Sequence, residues 1–190
     1  MTTFDRHTIT ERHAELDFSL LLPRGWRVEL PAQPGATPEG GWVDLARARA
    51  PVHGEMAGAC VAISGLRRTA ATSLEKALGQ QLRQRHVHRR HLMPVRMGRH
   101  VGLSLSARAG TADRPMQSRL ALIEDGGRLL RLMLAAPAGS AALEPSLWAA
   151  VAGGLVLHLR HGSRLPALEP QRDAWGRRWS ETFETQAAAA

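Results

Sequence analysis

Between residues 83 and 100 the chain reads RQRHVHRRHLMPVRMGRH, with six arginines, four histidines and no acid. Two chemistries use such residues: imidazoles ligate metals, and clustered guanidinium groups neutralise phosphate. His86, His88 and His91 are the most closely spaced imidazoles. In an extended chain His91 faces away from the other two, and no carboxylate or thiol lies near enough in sequence to complete a shell. No metal site is expected, and the histidines read as exposed groups on a basic edge. The stretch also lacks Phe, Tyr and Trp for base stacking, and no helix-turn-helix or zinc-finger spacing accompanies it. It reads as a solvated or protein-facing edge, with no nucleic-acid partner expected.

Motifs for covalent or cofactor chemistry are missing as well. The sequence has no Gly-x-Ser-x-Gly elbow, no phosphate-binding P-loop, no dinucleotide fingerprint after a strand and no His-Glu-x-x-His. Ser104 and Ser106 point outward from a candidate strand beside no evident base. The expectation is therefore a non-enzymatic protein with no catalytic residues and no cofactor. A basic nucleic-acid binder or a small enzyme whose site is assembled from distant residues is the alternative.

The bulk numbers agree with a folded domain carrying appendages. The chain has 190 residues, 44% of them hydrophobic and 22% charged, and a formal net charge of +8. Lys76 is the sole lysine, so arginine carries the excess, and residues 163 to 190 sum to zero. Cys60 stands alone in the apolar run ACVAIS, which rules out an internal disulfide and suggests a buried, inert thiol. The first residues lack an apolar export segment, and no later stretch reaches the roughly 18 apolar residues of a membrane span. A cytoplasmic protein without direct membrane insertion is the expectation.

The elements that would position any site are mostly short strands. DFSLLLP, residues 17 to 23, places Phe18, Leu20 and Leu22 on one side, and Pro23 to Gly25 turn into WRVEL as a hairpin-like entry. Residues 31 to 41 are a Pro/Gly-rich loop, followed by candidate strands at 42 to 50 and 58 to 66. Thr72 and Glu75 have capping-box spacing before a helix with Leu74, Ala77, Leu78 and Leu82 on its apolar side. Residues 99 to 108 then alternate, Val101, Leu103, Leu105 and Ala107 inward. Strands at 117 to 124 and 128 to 135 flank DGG and form a hairpin pairing Ile123 with Leu129, Ala121 with Arg131 and Arg119 with Met133. Its strongly apolar face, Leu120, Leu122, Leu130, Leu132 and Leu134, is expected to carry the core. A second helix over 144 to 152 has Pro145 in its first turn and Leu147, Trp148 and Val151 on one side, and LVLHLR is a last strand.

This order of elements, with Phe18 before Pro23, Gly25 and Trp26, the helix TSLEKALGQQL, the DGG hairpin and then APAG, resembles the PsbP-like superfamily over about residues 16 to 160. That superfamily includes PsbP, the yeast import factor Mog, DcrB proteins and the Eag chaperones of type VI secretion. The resemblance implies an α+β fold, a curved antiparallel sheet with two helices packed on one face. It divides the chain into a polar arm (1–15), a PsbP-like domain (16–162) and a tail (163–190). It also implies a non-enzymatic chaperone or adaptor, on Eag lines a homodimer that cradles apolar segments of a secreted effector.

On that reading the open face of the sheet is the binding surface. It would display Ala121, Ile123, Leu129 and Met133, flanked by Arg108, Arg119 and Arg131. In the tail, Trp175, Trp179 and Phe183 recur every four residues and form one stripe on an amphipathic helix. The stripe is expected to dock on the body or on the second copy of a dimer.

Overall fold

The computed structural model describes residues 2–10, 16–31, 42–67, 74–84, 92–125 and 127–158. In chain order its elements are β1 (Phe4–Ile9), β2 (Asp17–Pro23), β3 (Arg27–Glu29), β4 (Val43–Arg49), β5 (Cys60–Arg67), α1 (Leu74–Gln84), β6 (Met93–Met97), β7 (His100–Gly110), β8 (Pro115–Asp125), β9 (Arg128–Pro137), α2 (Pro145–Gly153) and β10 (Val156–His158). A short 3₁₀ turn at Ala141–Leu143 precedes α2. Seven strands form one antiparallel sheet in the order β3-β4-β5-β9-β8-β7-β6, and β1-β2-β10 form a second sheet.

The hairpin of β8 and β9 explains how these layers stack. Ile123 pairs with Leu130, Ala121 with Leu132 and Arg119 with Leu134, one residue away from the register that alternation alone suggests. Asp125 pairs with Arg128, so only residues 126 and 127 connect the strands, and Gly127 has φ 81°. A Gly-Gly pair suits a two-residue turn whose backbone needs positive φ. Because side chains alternate with period two, the one-residue slip moves Leu129, Arg131 and Met133 to the other face.

Both faces of this hairpin are consequently apolar, and each has its own core. On one face Leu120, Leu122 and Leu129 pack with Leu103 and Leu105 of β7 and with Leu74, Ala77, Leu78 and Leu82 of α1. On the other, Ala121, Ile123, Leu130, Leu132 and Leu134 meet Phe18, Leu20 and Leu22 of β2 and Leu147, Trp148 and Val151 of α2. The α+β class stands, but the two helices do not share a face. A sheet that is apolar on both sides must be covered on both, and one helix goes to each.

Two further expectations change. Residues in the supposed polar arm form β1, which pairs along β2 from Phe4↔Pro23 to Ile9↔Phe18. The turn at Pro23–Gly25 does not make a hairpin, because β2 and β3 belong to different sheets. Phe18, Leu20, Leu22 and Trp26 all bury in the same core, so the turn wraps the chain from one layer onto the other. Strands β4 and β5, the apolar side of α1, and α2 with Pro145 at its start all lie where the sequence places them. The capping pair Thr72/Glu75, the histidines 86, 88 and 91, and the tail with Trp175, Trp179 and Phe183 fall outside what is described, as residues or as side chains.

Candidate functional site

Three local arrangements carry polar chemistry, and each follows from strand register. The first is a cross-strand row on the α1 side of the large sheet, Asp44 of β4 opposite Ser64 of β5 opposite Arg131 of β9. The Ser64 hydroxyl donates to Asp44 Oδ1 at 3.0 Å, and Arg131 Nη2 donates to the Ser64 oxygen at 3.4 Å. Arg47 donates to Asp44 Oδ2 through Nε at 3.0 Å and through Nη2. Trp42, two residues before Asp44 and fully buried, lies under Arg131 with the guanidinium 4.8 Å from the ring centroid. Buried charge is tolerated where it is paired and hydrogen-bonded, and this row satisfies that condition. It knits β4, β5 and β9 together, with Asp44, Ser64 and Arg131 buried and Arg47 exposed at its edge.

The second arrangement lies beside that row on the same face. Arg47 stands opposite Ala62, and Arg49 opposite Cys60. Ala62 in turn faces Met133, and Cys60 faces Ala135. All four of Cys60, Ala62, Met133 and Ala135 are half-buried, while Arg47 and Arg49 are exposed. None of the four belongs to either core, because the apolar side of α1 packs on β7 and β8 instead. Cys60 is thus not the deeply buried thiol that its sequence neighbours suggest.

The third is an open groove of about 280 Å³ on the opposite face, lined by Ser106, Ala107 and Arg108 of β7, Gln117, Ser118 and Arg119 of β8, and Leu143. Ser106 pairs with Arg119 and Arg108 with Gln117, so these four polar side chains form a square on one side of the ladder. Arg119 Nη2 donates to the Leu143 carbonyl at 2.6 Å, which ties the square to the turn before α2.

The residues expected to form one binding face are therefore split. Ala121, Ile123, Arg119 and Arg108 lie on the α2 side, and Leu129, Arg131 and Met133 on the α1 side. Ala121, Ile123 and Leu129 have no exposed surface, and Arg131 is 4% exposed. The correction comes from the register slip together with the second sheet, which covers the face taken as open. Met133 keeps partial exposure but has Ala62 as its neighbour, and Arg108 and Arg119 meet in the groove.

One pair that sequence reading missed resembles the start of a catalytic relay. Ser19 Oγ lies 2.7 Å from His158 Nε2, and Asp17 is the cross-strand partner of His158. Ser19 is only 2% exposed and also contacts the Thr8 hydroxyl at 3.3 Å. Its hydroxyl joins β10 to β2 and β1 and is shielded from solvent. Ser19 lies between Phe18 and Leu20 on β2, and its separation of 139 residues from His158 left no local signal. Among the described residues no group of three or more His, Cys, Asp or Glu is placed to hold a metal ion, and no helix is long and apolar enough to cross a membrane.

No protein-family profile and no curated protein matches the chain. Solved structures do. The cyanobacterial PsbP protein CyanoP of Synechocystis sp. PCC 6803 is 13% identical with a TM-score of 0.52, the match covering 83% of this chain and 94% of that one. LpqN of Mycobacterium tuberculosis, described as involved in cell envelope biogenesis, gives 11% identity and a TM-score of 0.46 over 81% and 91% of the two chains. A Bacteroides thetaiotaomicron protein gives 16% identity and a TM-score of 0.49, the match covering 76% of this chain and 46% of that one, so the chain spans about half that protein's length. The CyanoP likeness supports a PsbP-like fold, and at such identities the fold alone is what is shared.

Proposed function

We propose that the protein is a non-enzymatic chaperone or adaptor that holds an apolar segment of another protein against the α1 side of its large sheet. The observation that carries this reading is the strip of Cys60, Ala62, Met133 and Ala135, half-buried outside both cores and bordered by Arg47 and Arg49. Small residues leave room for a partner's side chains, and methionine adapts to varied ones. The partner we propose is a secreted effector of a bacterial secretion system, engaged in the cytoplasm, with Eag chaperones of type VI secretion as the functional analogue. The PsbP-like fold is compatible with that role without specifying it. A homodimer, with Trp175, Trp179 and Phe183 docked on the body or across the dimer, belongs to the same proposal.

Co-expression with the apolar N-terminal segment of an effector encoded beside the gene is the test. The wild-type chain is expected to co-purify with that segment. Ala62→Asp/Met133→Asp, with an unchanged circular dichroism spectrum, is expected to lose it. Equal recovery with the double variant would place binding elsewhere. Removal of residues 163 to 190 is expected to lower the melting temperature or shift a dimer to monomer by light scattering, and no change in either would rule out docking of the tail.

A further inference from the structure

Arg119 is half-buried, and among the described residues its hydrogen-bond partner is the neutral Leu143 carbonyl at 2.6 Å. Arg108 is exposed beside it, at the diagonal position of the same ladder. No carboxylate among the described residues forms an ion pair with either, whereas Arg24, Arg47, Arg49 and Arg128 each have one. A carbonyl orients a guanidinium but leaves its charge uncompensated, and partial burial raises the cost of that charge. The carbonyl contact also occupies one Nη2 proton, so Arg119 is held in place while other N–H groups stay available.

The rest of the groove supplies complementary groups. Ser106 and Gln117 are exposed and complete the square with a hydroxyl and a side-chain amide. Ala107 and Ser118 pair between them with side chains turned to the opposite face, so the floor of the groove is backbone. Two guanidinium forks with two further donors around an open space of about 280 Å³ match an oxyanion on a small molecule.

We propose that the groove between β7, β8 and the turn at Ala141–Leu143 binds a small carboxylate- or phosphate-bearing ligand through Arg108 and Arg119, with Ser106 and Gln117 as supporting donors. Planar carboxylate and tetrahedral phosphate both accept from a guanidinium fork, so the shared chemistry is the oxyanion. The site lies on the opposite face of the sheet from the Ala62/Met133 strip and does not depend on partner capture there.

The test titrates the full-length chain by amide NMR with succinate, inorganic phosphate, neutral succinamide and sodium chloride at matched ionic strength. Succinate or phosphate is expected to shift Ser106, Arg108, Gln117 and Arg119 saturably, and whichever does so identifies the source of the oxyanion. Succinamide and chloride are expected to have no such effect. Losing a charged hydrogen-bond partner corresponds to roughly a ten- to hundredfold weaker affinity, which is expected for Arg108→Gln and for Arg119→Gln. Arg108→Gln changes an exposed side chain, so its fold is retained even if variants at Arg119 are unstable. Absence of saturable shifts with both anions, or unchanged affinity in Arg108→Gln, would overturn the proposal. Ala62→Asp/Met133→Asp should bind the anion as wild type does, which separates this site from the proposed partner strip.

Discussion

Arg131 lies 4.8 Å over the ring of Trp42, with both side chains buried, and this contact anchors the row that joins β4, β5 and β9. Trp42→Ala removes the ring and leaves a cavity beneath a buried guanidinium, at an expected cost of about 3 to 5 kcal/mol. Trp42→Phe keeps a smaller aromatic face and should cost clearly less. Urea unfolding of the two variants checks the order, and equal losses would mean that the aromatic face over Arg131 contributes little.

Gly98 sits in the turn between β6 and β7 with φ 56°, and a Cβ there would come within 1.9 Å of the Leu155 carbonyl oxygen. Its N–H donates to the Ala152 carbonyl at 3.2 Å, so the turn is clamped to the end of α2. Gly127 has φ 81° but open space around its missing side chain. Gly127→Ala should therefore cost only left-handed backbone strain, on the order of 1 kcal/mol, while Gly98→Ala adds a clash with backbone and should cost several times more. Thermal unfolding of the pair separates strain from contact.

At the start of α2, Glu144 occupies the N-cap with no side-chain hydrogen bond, and Pro145 follows it. A serine or aspartate can accept from the free N–H groups of the first turn, which glutamate does not do here. Glu144→Ser is expected to stabilise the protein by about 0.5 to 1 kcal/mol, read as a higher melting temperature. An unchanged or lower value would show that the turn before α2 already fixes the helix start.

Local pattern made much of this fold legible. Alternation located β2 and β7, the Pro/Gly-rich loop marked the start of β4, and the spacing of Leu74, Ala77, Leu78 and Leu82 identified the buried side of α1. β6 was hidden because Met93, Pro94 and Arg96 are exposed within a basic run, leaving Val95 and Met97 as its inward signal. Val101 continues the alternation of Leu103 and Leu105 yet is 73% exposed, because it pairs with exposed Arg96 at the end of the sheet. The candidate sites were harder to read. Arg108 and Arg119 were singled out, but as the rim of an apolar face. The groove depends on Leu143, which reaches Arg119 across 24 residues through a carbonyl that no side-chain pattern reports.

The hairpin register yields the sharpest contrast between two single substitutions. An open face displaying Ile123 beside Met133 would let both positions accept a carboxylate. In the observed pairing Ile123 is fully buried opposite Leu130, in the core shared with β2 and α2, whereas half-buried Met133 stands between Ala62 and Leu120 on the other face. A carboxylate at position 123 would be buried among apolar side chains without a partner, a cost of several kcal/mol that approaches the whole stability of a domain this size. Ile123→Asp is therefore expected to be insoluble or unfolded, and Met133→Asp to remain folded with a modest loss of stability. Amide NMR spectra of the two variants decide the matter. A well-dispersed spectrum for Ile123→Asp would mean that the face beneath the second sheet is open and that the one-residue slip in the hairpin is wrong.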